Sequence, residues 1–245
     1  MTTLVVGASG ATGLRLVEQL LNRGERVRAV VRSAESLPDK LRHHKGLDLI
    51  EASLLDLDDQ EMAKLVDGCS AVASCLGHNL TFKGMFGHPR RLVTDATRRL
   101  ARAIQQHNAN APVRFVLMNT TGNSNRDLEE HVSCAQRLVI GLLRVFLPPH
   151  LDNEKAADFL RTRIGQDDER IEWVAVRPDG LIDLEEVTAY TLHPSPTRSA
   201  IFDAGTTSRI NVAHFMAELI CSDAVWRQWK GQMPVIYNRV EPSTD

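Results

Sequence analysis

The chain has 245 residues, of which 43% are hydrophobic and 24% charged, the balance of an ordinary globular protein. A formal net charge of −2 gives no overall attraction to nucleic acid or to an anionic membrane, and no apolar stretch approaches the ~20 residues of a membrane span. With no signal-peptide pattern and four scattered cysteines, we expect a cytoplasmic protein with reduced thiols, one domain over residues 1–245, and neither nucleic-acid nor membrane partners.

Strand-like runs alternate with helix-like segments along most of the chain. The runs are short, rich in branched residues and bounded by polar residues or glycine: 4–6, 27–31, 47–52, 71–75, 113–118 and 171–176. The segments between them repeat apolar residues every three or four positions. This alternation predicts an α/β fold with a doubly wound parallel sheet covered on both faces. Arg98 and Arg99, in the helix expected after Leu92, are interpreted as part of its solvated face.

The second half of the chain is less regular. We expect one long helix over 126–146, capped by residues 123–125, ended by Pro148 and Pro149, and available as a protein-docking surface. After Pro178 the pattern weakens into a loop, "LHPSPTRS", and then a short helix over about 212–220. Material that follows the last strands of such a sheet often covers its carboxyl edge, so residues from about 179 to 245 are expected to contribute a small C-terminal substrate cap.

Three glycines follow the first strand and open the first helix. Gly7, Gly10 and Gly13 give the pattern G-x-x-G-x-x-G. Glycine lets the chain turn sharply, lets a pyrophosphate approach the backbone, and lets the helix pack on the sheet. The start of the helix then offers free N–H groups to the phosphates. A purely structural turn is the alternative, but the position between an apolar strand and a helix favours a dinucleotide site.

The end of the second strand indicates which dinucleotide is preferred. NAD sites place an acid near this point for the ribose hydroxyl, whereas NADP sites place an arginine near the 2′-phosphate. Here Arg32 occupies the position, Ser33 lies beside it, and the nearest acid, Glu35, is too far along the chain. Arg32 as an ordinary surface residue is the alternative. The sequence therefore favours NADP(H), with NAD(H) as the second choice.

These segments, together with "LLDLDD", "SCLGHN" and "VRPDG" after the third, fourth and sixth strands, resemble the atypical short-chain dehydrogenase/reductase superfamily. The similarity is greatest to its small NAD(P)-binding members, which include NmrA-like and flavin reductase/biliverdin-IXβ reductase-type proteins. It extends over almost the whole chain and implies a Rossmann fold. The implied cofactor contacts are Gly7, Ser9, Gly10, Ala11, Thr12 and Gly13 at the pyrophosphate, Arg32 at the adenosine phosphate, Ser53 and Leu54 at the adenine, Leu76 and Gly77 at the ribose, and Pro178 near the nicotinamide.

The resemblance is incomplete at two places. The family's Gly-Asp pair after the third strand is replaced by Ala52 and Ser53, which leaves Ser53 and the backbone of Leu54 for the adenine. Classical members also use a tyrosine with a lysine four residues later, the lysine lowering the pKa of the tyrosine that transfers a proton. Neither tyrosine of this chain has that lysine, so the Tyr-Lys mechanism is absent.

Other candidate catalytic groups remain. The resemblance places Thr120 and Thr121 at the family's serine position, and Lys155 at its lysine position, where it would hold the nicotinamide ribose. Turn residues and an exposed helix lysine are the alternative interpretations. His78 and His150 are candidate proton donors, because imidazole titrates in the right range, although each is also interpretable as a polar loop residue. A reductase acting on an electron-poor ring could instead take its proton from solvent.

Two classes of function follow from these residues. The favoured one is an NAD(P)H-dependent oxidoreductase that acts on a small conjugated or ring substrate without a Tyr-Lys pair. The second is a non-catalytic, NmrA-like dinucleotide-binding sensor that reports redox state through a protein partner. A sugar-nucleotide epimerase relative is disfavoured by the missing tyrosine and the short C-terminal part. A small-molecule substrate is expected, with a protein partner or a homodimer as a further expectation and with no metal site.

Overall fold

The computed structural model describes residues 1–78, 87–107, 111–130 and 133–239. Its strands are β1 (Thr2–Val6), β2 (Arg26–Val31), β3 (Leu47–Glu51), β4 (Ala71–Ser74), β5 (Val113–Met118), β6 (Ile171–Pro178), β7 (Gly180–Ile182), β8 (Tyr190–His193), β9 (Thr206–Ser208) and β10 (Val235–Asn238). The main sheet has the order β3-β2-β1-β4-β5-β6-β10-β8, and β7 pairs with β9 in a separate ladder. All pairs are parallel except β10 with β8.

Helices cover both faces of the main sheet. They are α1 (Ala11–Asn22), α2 (Asp39–Arg42), α3 (Asp59–Val66), α4 (Leu92–Gln106), α5 (Cys134–Phe146), α6 (Pro148–Phe159), α7 (Arg209–Cys221) and α8 (Asp223–Trp229). The apolar faces of α1, α7 and α8 bury one side of the sheet, and those of α3, α4 and α6 bury the other. The predicted α/β fold, a doubly wound and mainly parallel sheet, is therefore confirmed.

The order of the strands places a binding crevice. From β1 the chain moves outward through β2 and β3, then returns to the other side of β1 with β4, β5 and β6. Loops from β1 and β4 consequently diverge at the carboxyl edge of the sheet, which is where ligands bind in this kind of fold. Across the described residues, no helix is both long enough and apolar enough to cross a membrane.

The predicted long helix over 126–146 is wrong at its start. α5 begins at Cys134, where the hydroxyl of Ser133 accepts a hydrogen bond from the N–H of Gln136 at 3.1 Å. Residues 126–128 form a turn instead, and the side chain of Asn125 accepts from the N–H of Asp127 at 3.1 Å. Short polar side chains compete for backbone groups in this way and favour turns over helix. Positions 131–132 lie outside the described residues.

Residues after Pro178 contribute more to the main sheet than a cap would. β8 and β10 extend the sheet, and α7, predicted over 212–220, packs against α1. The loop expected at "LHPSPTRS" begins inside β8. Only the β7–β9 ladder and the segment 183–205 lie outside these elements in the described part of 179–245 and remain as candidates for the predicted cap. A substrate cap over about 179–245 stays a prediction. Residues 240–245 lie outside the described part of the chain.

Candidate functional site

A cavity of about 630 Å³ opens at the carboxyl ends of β1, β2, β3 and β4. It lies where the order of the strands reverses, which is the position expected for a ligand. The predicted residues that line it are Gly7, Ser9, Gly10, Arg32, Ser53, Leu54, Leu76, Gly77 and His78. The structure therefore brings most of the expected cofactor contacts together around one space, together with one of the candidate catalytic groups.

The glycine loop has the backbone geometry that its pattern predicts. Gly7 has a φ of +75°, and a Cβ placed on it would lie 2.6 Å from the carbonyl oxygen of Cys75. Gly13 packs so closely on the backbone of Gly7 that it too leaves no room for a side chain. Gly10 lines the cavity and begins α1 without a side-chain cap, so the first N–H groups of that helix lack intrahelical acceptors. The loop thus fits a pyrophosphate held at the start of a helix.

Arg32 directly follows β2, at the rim of the same cavity. Its side chain is exposed, and it forms no ion pair within the described ranges. Glu51, on the neighbouring strand opposite Val31, directs its carboxylate to the N–H of Ala34 at 2.8 Å instead. An unpaired guanidinium at this position fits a ligand phosphate, because its planar donors match two phosphate oxygens.

The loop after β3 forms the far wall of the cavity and is fixed by an arginine. Ser53, Leu54 and also Asp56, which the sequence did not single out, line the cavity. Arg99 of α4 donates to the carbonyl oxygens of Leu54 at 3.3 Å and Leu55 at 2.6 Å. The interpretation of Arg99 as part of a solvated face is therefore wrong: the side chain crosses to the loop and satisfies carbonyl groups that secondary structure leaves unpaired.

His78 is held in place by a buried carboxylate. Its Nε2 lies 2.8 Å from Oδ2 of Asp152, and the two side chains are 4% and 1% exposed. Asp152 also accepts the N–H groups of Val93 at 2.8 Å and Thr94 at 2.9 Å, at the start of α4. Burial by itself raises the pKa of Asp152, but the hydrogen bonds from His78, Thr94 and Val93 outweigh it and hold that pKa below its ordinary value. The ionised carboxylate can only accept, so His78 donates its Nε2–H.

Asp152→Asn is expected to lower the free energy of unfolding by about 2–4 kcal/mol near neutral pH, because the amide cannot accept from all these donors. The folded pKa of Asp152 is lowered, so its contribution to stability is complete above the unfolded value of about 3.9 and is lost as the pH falls through the folded pKa. Urea denaturation of both proteins from neutral to acidic pH measures the difference, which should shrink only at acidic pH. Asp167→Asn, at an exposed position, is the matched control. If the difference in unfolding free energy between the wild type and Asp152→Asn grows towards acidic pH, the lowered pKa assigned to Asp152 is wrong.

Thr121 makes its hydrogen bonds to other residues of the protein. Its hydroxyl donates to Oδ1 of Asp179 at 3.1 Å, and its N–H donates to the carbonyl oxygen of Pro178 at 3.0 Å. Oδ2 of Asp179 accepts the N–H of Gly205 at 2.8 Å. These buried bonds tie the end of β5 to the segment after β6. Neither Thr121 nor Pro178 lines the cavity, so their predicted contacts with substrate and nicotinamide stay predictions.

Thr120 and His150 lie together beside Gly122. Oγ1 of Thr120 accepts the N–H of Gly122 at 3.3 Å, and a Cβ on Gly122 would lie 3.2 Å from the His150 ring. Burial lowers the pKa of His150, and within the described residues its Nε2 has no hydrogen-bond partner. Lys155 is exposed on α6 and makes no ion pair in those residues. Thr120, His150 and Lys155 do not line the cavity, and their catalytic roles stay predictions.

Of the residues that sequence reasoning missed, Asp152 and Arg99 matter most. Asp152 contacts residues 58–74 positions away, and Arg99 contacts residues 42–45 positions away. Nothing in the local pattern around either side chain indicates such a partner. Ala11, Thr12 and Gly13 occupy the first turn of α1, directly behind the cavity-lining part of the glycine loop.

Known structures have the same fold. A short-chain dehydrogenase/reductase of Veillonella parvula, solved in complex with NADP, is 15% identical, covers 99% of this chain and 95% of its own, and superposes with a TM-score of 0.69. ChuY, an anaerobillin reductase of Escherichia coli O157:H7, is 18% identical, with coverage of 99% and 100% and a TM-score of 0.69. At these identities the likeness establishes the fold alone.

Sequence comparison identifies the family. An uncharacterized chloroplastic protein of Arabidopsis thaliana is 36% identical over 73 residues, which is 30% of this chain and about a quarter (26%) of that protein's length. A family model described as NAD(P)H-binding matches residues 7–223, from the first glycine of the loop to the start of α8. Because that match spans most of the chain, this protein belongs to that NAD(P)H-binding family.

Proposed function

We propose that this protein is an NADPH-dependent reductase that acts on a small conjugated or ring substrate. The observation that carries the proposal is Arg32, whose guanidinium lies at the rim of the cavity that the glycine loop also lines and forms no ion pair with any residue that the structure describes. Gly7 and Gly10 bring backbone close to that space, and Arg32 supplies the charge that a 2′-phosphate needs. When bound, NADPH supplies a hydride. NAD(H) is the alternative cofactor.

His78 is the proposed proton carrier. It follows β4 beside Gly77, and Asp152 fixes its ring by accepting from Nε2. The nearby carboxylate also stabilises a positive charge on the ring when His78 holds both protons. This arrangement offers a proton where the chain lacks the tyrosine of classical short-chain dehydrogenases.

The neighbouring structures support the proposal at the level of reaction class. One neighbour is an anaerobillin reductase, and another is a short-chain dehydrogenase/reductase that binds NADP. A conjugated or ring substrate suits a site without a Tyr-Lys pair, because the protein then acts mainly by positioning the reactants. A cytoplasmic location remains part of the proposal.

A non-catalytic, NmrA-like redox sensor is the alternative function. α5 favours it, because Leu138, Leu142 and Phe146 lie four residues apart and are 68%, 50% and 68% exposed. A row of this kind marks a surface that binds another protein or a second copy of the chain. The sensor would bind the dinucleotide in the same cavity and would transfer no hydride.

Oxidation of NADPH distinguishes the two functions. Flavins, quinones and enals are offered as acceptors, and the loss of nicotinamide absorbance is followed with NADPH and, in parallel, with NADH. We expect turnover with at least one class of acceptor and a larger kcat/KM for NADPH. Tight binding of NADPH without turnover on any acceptor would contradict the reductase and favour the sensor.

A further inference from the structure

A second cavity, of about 470 Å³, lies between the segment 124–130 and α5. Three arginines, Arg126, Arg137 and Arg144, line it together with the apolar side chains of Leu128 and Ile140. It shares no lining residue with the first cavity, the one beside the glycine loop, which we call the cofactor cavity after its proposed ligand. Ser124, Asn125 and Glu130 complete the lining of the second cavity, so the wall is mostly polar and its apolar surface comes from Leu128 and Ile140. A concave space with some apolar surface and convergent charged groups can hold a small organic ligand.

Two of the arginines share one carboxylate. Arg126 and Arg144 each place a terminal nitrogen next to Oε1 of Glu154, at 2.6 Å and 2.7 Å, and Arg126 also reaches Asp158 at 3.0 Å. Burial alone raises the pKa of Glu154, but the two guanidiniums outweigh it and hold that pKa below its ordinary value. Glu154 is thus ionised and engaged with two cations at once. Arg126 and Arg144 are half exposed and keep further N–H groups for a ligand.

The remaining charges leave the cavity positive. Glu130 lines it, but its oxygens point to the protein interior, Oε1 to Arg177 at 2.7 Å and Oε2 to the N–H of Asn125 at 2.9 Å. Arg137 is exposed and makes no ion pair in the ranges that the structure describes. Among the described residues, the guanidinium of Arg137 is therefore uncompensated, and that of Arg144, which shares Glu154 with Arg126, is only partly compensated.

We propose that this cavity binds an organic anion, namely an apolar ring or chain that carries a carboxylate. The carboxylate lies on Arg137 and the outer N–H groups of Arg144, and the apolar part packs on Leu128 and Ile140. A guanidinium fork matches a carboxylate with two parallel hydrogen bonds. Leu128 and Ile140 offer no hydrogen bond to a small hydrated ion, so they favour a ligand that has an apolar part. This site goes beyond the proposed reductase activity and does not depend on it.

Calorimetric titration with naphthalene-2,6-dicarboxylate tests the site in the full chain. Naphthalene-2,6-dimethanol, which has the same ring without charge, is the matched probe. We expect the dicarboxylate to bind at least about tenfold more tightly than the diol, and Arg137→Gln to weaken it by about tenfold or more, because the variant loses the charged hydrogen bonds between the guanidinium and the carboxylate. Arg102→Gln removes an exposed arginine of α4 outside the cavity and should leave the Kd unchanged.

The position of the probe is tested with saturating NADPH. Because the two cavities share no residue, we expect the Kd of the dicarboxylate to be the same with and without NADPH. Equal affinity of the wild type and Arg137→Gln would overturn the proposal, as would displacement of the probe by NADPH, which would place the anion in the cofactor cavity. Arg137→Lys keeps the charge but not the fork, so it should bind the dicarboxylate more weakly than the wild type and more tightly than Arg137→Gln.

Discussion

Arg32→Glu is expected to weaken NADPH binding by about 100-fold or more and to leave NADH binding unchanged or slightly tighter. The guanidinium lies at the rim of the cavity beside the glycine loop and has no ion-pair partner in the described part of the chain. A charged hydrogen bond to a phosphate contributes about 1.5–3 kcal/mol, and 1.4 kcal/mol equals a factor of ten in affinity. Glutamate adds repulsion towards a 2′-phosphate, whereas it can accept a hydrogen bond from the ribose hydroxyl of NADH. Fluorescence titration with each dinucleotide measures both affinities.

The matched control for this prediction is an arginine at the start of β2, the strand that Arg32 follows. Arg26 begins β2, so it is exposed at the opposite end of the strand from Arg32 and away from the cavity. Arg26→Glu makes the same change in net charge, and we expect it to change neither affinity by more than about twofold, since distant exposed charges are screened by salt. If Arg32→Glu retains the wild-type affinity for NADPH, the preference for NADP(H) is wrong.

The fold was predictable because it depends on local patterns. β1 and β5 are apolar runs buried on both faces, and the sheet shows them where the sequence places them. The glycine loop was predictable for a related reason: Gly13 packs on the backbone of Gly7, six positions earlier, and the positive φ of Gly7 is a local property of the turn, although the carbonyl that Gly7 approaches belongs to Cys75. Such features need only a short stretch of sequence to be recognised.

Features that depend on distant contacts were not predictable. Asp152 fixes His78 from 74 positions away, and Arg99 satisfies the loop after β3, although the sequence around each suggests only an exposed helix. The predicted start of α5 was wrong for a different reason. The hydrogen bond between Asn125 and Asp127 closes a turn in a segment that the sequence pattern assigned to helix. In each case a specific hydrogen bond overrides the pattern.

Glu130→Gln is expected to lower the free energy of unfolding by about 3–5 kcal/mol, because it leaves a buried cation without its counter-charge. Arg177 is 0% exposed and Glu130 is 4% exposed, and their side chains lie 2.7 Å apart. Arg177 also donates to the carbonyl oxygens of Met233 at 2.6 Å and Asn123 at 2.9 Å. These groups satisfy its N–H donors but cannot neutralise its charge. Urea denaturation at neutral pH measures the loss.

Two further variants separate charge from packing in this pair. Asp203→Asn breaks the exposed Arg198–Asp203 pair at 2.6 Å and should leave the midpoint of urea denaturation close to that of the wild type, because solvent screens the two charges. The double variant Arg177→Met with Glu130→Leu removes both charges and keeps apolar volume, so it should be more stable than Glu130→Gln alone. If Glu130→Gln is as stable as the wild type, the carbonyl groups alone suffice for Arg177. If Glu130→Gln is the least stable of these proteins, the ion pair itself holds the segment after β5 against β6. That segment includes the backbone of Thr120.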